Sequence, residues 1–433
     1  MSAQTVGDLL GRCLLAAGAT RVFGSSASGI SGVPGLGHVL VQDPALAALF
    51  ADAAGRLGPG PGVALLPGAR LRLSSRPGAE AVVIDITDAS QLPAEVAGWA
   101  GLAPAAAVEL VLDLDLDAPA PADVEPLELG PAGNQPVLSP TMADLRLVVL
   151  AGPGVVRAGA DAIEGLRTFA AQAGCGVLNT FGAKGVFGWD DPHHFGTIGL
   201  QSRDVELSGL GDAELIVAVG LDPDESPLGT WLPHASVLEV EPWQLAALAI
   251  RWAPPDGVPA RPALYHELAA LAGGWYESEV VPLNPARAAC DLSVVRRGDG
   301  IVVAEPGPAG LWIGRTFPTT EPGSVIVPAT AAAGIAAAIA TVAALGGRPA
   351  LAVATSPFDP ATEAVLELAT AWRAGLVMCE WGADAHLPTA AEHRQLLRVA
   401  LEQPEPTHVP VPIDVSLTDD LVALAGEVVA WTS

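Results

Sequence analysis

LRLVVLAGPGVVRAGADAIEGLRTFAAQAGCGVL, residues 145–178, carries the fold in the order of its apolar and turn residues. Residues 145–150 are an apolar run rich in β-branched side chains, which reads as a buried strand. Ala151-Gly152-Pro153-Gly154 is a tight turn. Residues 160–173 are amphipathic at helical spacing, and Gly174 closes them as a helix C-terminus does. Residues 176–178 start the next strand. Strand, helix and strand in so short a span build a parallel sheet.

The same alternation continues outward, with strands predicted at 214–219 and 236–240. Two Pro/Gly-rich, aperiodic stretches, 118–140 and about 275–299, cut the chain into three segments. The first opens with a helix over 5–17 ended by Gly18. Strands at 21–23, 38–42, 63–66 and 81–86 and a helix over 44–57 follow. The last gives strands at 300–303, 324–327, 350–354 and 376–379 and helices at 332–345 and 361–374. The expected architecture is α/β, three doubly wound parallel-sheet domains over 1–120, 141–275 and 298–433.

The chain has 433 residues, half of them hydrophobic and 16% charged, below the roughly 25% of an average domain. Lys and Arg number 21 against 48 Asp and Glu, a formal net charge of −27. Such a surface repels phosphate backbones and anionic membranes, so no nucleic-acid partner is expected. Cys13, Cys175, Cys290 and Cys379 show no CxxC and no ligand spacing to a histidine, which reads as reduced thiols in the cytoplasm. Asp8 interrupts the apolar core that a signal peptide would need. Residues 325–345 are uncharged and long enough to span a bilayer, but Pro328 breaks them and Gly346-Gly347 follows. The expectation is a strand feeding a buried helix, with no membrane span.

Several motifs fail on inspection. Gly152-Pro153-Gly154 could present a helix N-terminus to an anion, yet the dinucleotide pattern breaks at Arg157, and Asn179 stands where an acid would bind a ribose. Asp113, Asp115 and Asp117 open like a calcium loop, but Ala118 and Val124 stand where its glycine and closing glutamate belong. Their alternation with Leu112, Leu114 and Leu116 predicts an edge strand with one wet face. His193-His194 lies in a turn sequence and is expected at the surface. Gly24-Ser25-Ser26-Ala27-Ser28-Gly29 approaches a nucleophile elbow, but Ser28 takes the second glycine's place.

The middle segment resembles the central domain of thiamine-diphosphate (ThDP) enzymes of the acetolactate synthase kind. The resemblance rests on 148–154 with the helix to Gly174, on Asn179-Thr180-Phe181-Gly182-Ala183-Lys184-Gly185-Val186-Phe187 with Asp191-Pro192 and Gly196-Thr197-Ile198-Gly199, and on 215–220 with Leu221-Asp222. Residues 5–24 resemble the opening of that family's pyrimidine-binding domain. Ala304-Glu305-Pro306-Gly307, Leu311-Trp312, 334–339 and Glu367-Leu368-Ala369-Thr370-Ala371 resemble its diphosphate-binding domain. The resemblance thus implies the domain order pyrimidine-like, central, diphosphate-like, in a chain shorter than a typical member. It also implies a dimer, because family members hold the cofactor between subunits. The helix over 332–345, apolar on every face and matching one near the family's dimer contact, adds to that expectation. A homodimer or a related full-length subunit is the partner it suggests.

The departures from the family bear on function. Pro44 stands where the family has the glutamate that activates the aminopyrimidine, and proline offers neither proton nor acceptor. Losing such acid–base help costs about 10²–10⁴-fold in rate. Phe358, within Ser356-Pro357-Phe358-Asp359-Pro360, falls on the family's Mg²⁺-binding aspartate, and Glu380-Trp381-Gly382-Ala383-Asp384 on its asparagine region. The family's Gly-rich phosphate loop has become Pro328-Ala329-Thr330-Ala331-Ala332-Ala333. No catalytic residue and no metal ligand are assigned. Glu305, Gly307, Asp359, Glu380 and Asp384 are the residues expected to line a relict cofactor pocket. Three readings stay open: a non-catalytic homologue that binds a partner or another ligand; an active ThDP-dependent 2-oxo-acid lyase or ligase with an unorthodox Mg²⁺ site at Asp359, Glu380 or Asp384; and FAD or nucleotide binding at Gly152–Gly154.

Overall fold

The computed structural model describes residues 4–25, 29–30, 32–75, 79–101, 107–127, 145–225, 235–249, 257, 259–414 and 418–431. The chain divides into two compact units, Met1–Asn134 and Gln135–Ser433.

The first unit holds α1 (Val6–Ala16), β1 (Arg21–Gly24), β2 (Gly37–Leu40), α2 (Pro44–Leu57), β3 (Gly62–Leu66), β4 (Arg70–Ser74), β5 (Ala81–Ile86), α3 (Leu92–Gly101) and β6 (Ala107–Leu112). Thr5 starts α1 with a reciprocal cap: its hydroxyl accepts from the Asp8 amide and the Asp8 carboxylate from its own. The sheet runs β2-β1-β3-β4-β6-β5. It is mixed, because β4 lies antiparallel to both neighbours. Sequence patterning misses β4 because Arg72, which periodicity would place outside, is buried beside Asp52 and Glu109 at 3.5 and 3.6 Å. The predicted edge strand over Asp113–Asp117 is instead a turn following β6, in which the Asp115 carboxylate accepts from the Asp117 amide. The Gly24–Gly29 motif falls partly outside the described residues.

The second unit carries two five-stranded parallel sheets. The first comprises β7 (Leu147–Ala151), β8 (Gly176–Thr180), β9 (His194–Ile198), β10 (Leu215–Val219) and β11 (Ser236–Val240), in the order β11-β10-β7-β8-β9. Helices α4 (Pro153–Arg157), α5 (Ala160–Ala173), α6 (Asp204–Leu207) and α7 (Leu245–Ala249) accompany it. Gly174 ends α5 in the left-handed conformation, as the sequence predicts. Alternate residues of β7 feed two cores: Val149 and Ala151 pack with α5, while Val148 and Leu150 face the opposite way.

Helices α8 (Ala263–Tyr276) and α9 (Pro285–Val295) lead to the last sheet. The stretch taken as a divider at 275–299 therefore contains a helix, started by the Asn284 side chain capping the Ala286 amide with Pro285 at the first position. The last sheet has β12 (Ile301–Ala304), β13 (Val325–Ile326), β14 (Ala350–Thr355), β15 (Val377–Trp381) and β16 (Thr407–Val411), ordered β13-β12-β14-β15-β16. Its helices are α10 (Pro308–Thr316), α11 (Ile335–Leu345), α12 (Pro360–Ala371), α13 (Ala390–Ala400) and α14 (Thr418–Ala425). Val148, Leu178 and Phe195 of the central sheet share one continuous core with Val302, Val353 and Val377 of the last.

Among the described residues no helix is long and apolar enough to cross a membrane. Residues 335–343 of α11 are buried in the single chain, where the helix packs on β12, β14 and α12. Its apolar surface therefore needs no second subunit to cover it, which removes that argument for a dimer.

Candidate functional site

The carboxyl ends of β12, β14 and β15 form one edge of the last sheet, the place where parallel α/β sheets present their ligand-binding loops. Glu305 follows β12, and one of its carboxylate oxygens accepts from the Thr355 amide at the end of β14 (3.2 Å). Burial pushes the Glu305 carboxyl up; the Thr355 amide opposes this, and the charge of Asp359 adds to it. Gly307 caps α10 at φ 112°, a conformation that suits glycine alone.

Asp359 is the cap of α12. One oxygen accepts from the Ala361 and Thr362 amides (2.8 and 2.9 Å), the other from the Thr362 hydroxyl and the Gly334 amide (2.8 and 3.2 Å). A carboxylate has about four acceptor positions, and here all four are filled by protein donors. Glu380 on β15 accepts from the Ser356 hydroxyl (2.7 Å), and its second oxygen lies 2.8 Å from His408 Nε2. The Phe358 ring packs on the His408 imidazole at 5.1 Å.

Glu305, Asp359 and Glu380 thus converge on one edge through Thr355 and Ser356, with Gly307 opening the adjacent helix. Asp384 does not join them; it is exposed in the loop after β15. Ser356 and His408 belong to the site but were not found from the sequence. The weak alternation of Thr407–Val411 was the available signal for the strand that carries His408. Mg²⁺ needs several free oxygens in near-octahedral array, and the carboxylates of Asp359 and Glu380 have theirs committed to protein partners. Among the described residues no group of three or more His, Cys, Asp or Glu is placed to hold a metal ion.

Pro44, in the first unit, is the first residue of α2, capped by the Asp43 carboxylate, which accepts from the Ala45 amide (2.8 Å). Asp43 is therefore a helix cap. In the central sheet, the Gly152 and Gly154 amides donate to the carbonyls of Val219 and Gly220 (both 2.8 Å), so neither faces a ligand. A Cβ at Gly152 would lie 2.3 Å from the Gly220 oxygen, which explains both glycines by close backbone packing.

The stretch after β8 buries a lysine. Lys184 is 1% exposed, and among the described residues no carboxylate pairs with it. Burial pushes its pKa down to about 7, and the nearby Arg315 guanidinium pushes the same way. Arg315, on α10, is held by Asp204, by the Gln201 side chain (2.9 Å) and by the Thr197 carbonyl (2.7 Å). His194 is not at the surface as expected: it opens β9, is buried, and is lowered to about 3 by burial and then by Lys184 and Arg261. The Trp189 ring neighbours both, 5.8 Å from Lys184 Nζ and 6.1 Å from the His194 ring. The four thiols are free, and burial raises Cys13 to about 11 and Cys175 and Cys379 to about 12.

Residues 143–246 match the family model described as the central domain of thiamine pyrophosphate enzymes. No curated protein matches the chain. Among solved structures, that of a candidate thiamin diphosphate-dependent enzyme isolated from Mycobacterium smegmatis is similar over 95% of this chain and 100% of that one. Its TM-score is 0.65 at 19% identity, a likeness of fold. Residues 143–246 are thus a domain of the thiamine pyrophosphate enzyme central-domain family, set in a chain that shares its fold along nearly the whole length with that solved structure.

Proposed function

We propose that the chain is a diverged member of acetolactate synthase-like ancestry that performs no ThDP chemistry and acts in the cytoplasm by binding a partner or a different small ligand. The observation that carries this reading is Asp359, whose carboxylate is fully engaged in capping α12 and fastening Gly334. Freeing it for Mg²⁺ would uncap the helix. Glu380 is likewise tied to Ser356 and His408, and the Phe358 ring packs, tilted, on His408. Support also comes from Pro44, which as the first residue of a helix has no proton to exchange with a cofactor ring.

Calorimetry with ThDP and Mg²⁺ tests the reading. The expected result is no saturable binding below about 1 mM, or about −4 kcal/mol. Micromolar binding would overturn it in favour of an active 2-oxo-acid lyase or ligase. The partner in this reading is a second copy or a related full-length subunit, and the element that would meet it is β5. That strand is the edge of its sheet, and its Val82 and Val83 are 53% and 58% exposed. Unpaired, apolar edges of this kind invite pairing.

A further inference from the structure

The chain's C-terminal segment runs as a strap along residues 200–203. The Arg203 and Ser202 amides donate to the Ala425 and Glu427 carbonyls, and the Val429 amide donates to Leu200 (all 2.9 Å). The Gln201 side chain reaches the Gly426 carbonyl at 2.7 Å. The strap delivers Trp431 against Pro328 and Phe181. Its indole Nε1–H donates to the carbonyl of Pro328, the first residue of the loop that replaces the family's glycines (2.9 Å). Its ring packs on Phe181 at 5.2 Å, tilted by 58°. Gly310, in the helix that Gly307 caps, lies at the benzo edge of the ring; a Cβ there would come within 3.1 Å of the indole Cη2. Trp431 holds a φ of 60°, which a bulky side chain adopts only when its surroundings impose it.

We propose that Phe181, Gly310 and the Pro328 carbonyl form a seat for a planar heteroaromatic ring bearing one N–H donor, and that Trp431 is its built-in, displaceable occupant. Phe181 gives the ring an apolar contact, Gly310 leaves room at its benzo edge and the Pro328 carbonyl accepts its N–H, so the seat selects a flat ring with a donor on one edge. This inference stands whether or not the Asp359 edge retains cofactor chemistry.

The test uses the full-length protein with Trp431→Ala and indole as the probe. The variant should melt lower than wild type, and indole at about ten times its Kd should raise its Tm by about 1–3 °C while leaving wild type unmoved. A folded variant whose Tm ignores indole overturns the proposal. If Trp431→Ala fails to fold, the indole N–H signals of wild type and Trp431→Phe decide. Loss of one slowly exchanging signal in the Phe variant supports the seat, and a rapidly exchanging Trp431 N–H in wild type overturns it. ThDP with Mg²⁺ is titrated separately on Trp431→Ala. Its binding there would overturn the proposed loss of ThDP chemistry and leave the seat standing.

Discussion

Replacing Lys184 by methionine should stabilise this protein, by an amount that depends on pH. The lysine is buried beside Arg315 and lacks a carboxylate partner among the described residues, so its pKa falls from 10.5 to about 7. Below about pH 7 it is protonated in the folded and unfolded chain alike, and the folded state bears the whole cost of a buried charge. Above about pH 10.5 it is neutral in both, and the cost is gone. Between those values the unfolded chain holds a proton that the folded chain has shed, so stability rises with pH. At about 1.4 kcal/mol per pKa unit the whole rise is about 5 kcal/mol. Methionine keeps the length of the side chain and its apolar contacts and removes the charge. Guanidinium unfolding of both proteins at intervals from pH 6 to 10 measures the effect as their difference. Taking the difference matters, because buried Cys175 and Cys379, raised to about 12, withdraw stability above about pH 9 in both proteins. The variant should be more stable by several kcal/mol at pH 6, with the gap closing towards pH 10. A variant less stable than wild type at pH 6, or a gap that does not change with pH, would refute the reasoning and mean that Lys184 has found a counter-charge.

Asp359→Ala should cost about 1–2 kcal/mol in urea unfolding, because it uncaps α12 and releases Gly334. An unchanged midpoint would free Asp359 for another role. Asp291 is fully buried between Arg287, Arg394 and His393, and those partners hold its carboxyl below its ordinary value against the opposing effect of burial. Asp291→Ala should therefore cost about 3–5 kcal/mol at neutral pH. Wild type should lose that increment as pH falls through the lowered pKa, so the gap between the two proteins should narrow in acid. Light scattering after size exclusion should give twice the chain mass of 43.8 kDa, and Val82→Lys with Val83→Lys on the β5 edge should reduce it to one. A wild-type monomer at low micromolar concentration would count against the partner reading.

The βαβ order from β7 to β8 was legible because burial on both faces makes strands apolar throughout and a helix amphipathic. That difference in period survives in the sequence. α9 was hidden because its start, Asn284-Pro285, is written in the residues that also make linkers. His194 was misplaced because a turn closed by Asp191 runs straight into β9 (its amide donates to the Asp191 carbonyl at 3.0 Å), so one residue separates surface from interior. At the site, the convergence of Glu305, Asp359 and Glu380 follows from strand order and could be read ahead. The state of their oxygens could not, because the donors come from Gly334, Thr362 and His408, brought in by three different elements.

The core that Val148 and Leu178 share with Val302 and Val353 bears on how such chains can be inherited. Recombination could exchange the first 134 residues between relatives as a block, because they form a compact unit of their own. The middle sheet has no such freedom. A crossover near residue 280 would mate two halves of a single interior that had never been selected together, and most such hybrids would fail to fold. The portion that matches a family in sequence is therefore bound to the last sheet through one interior, and the two must descend together.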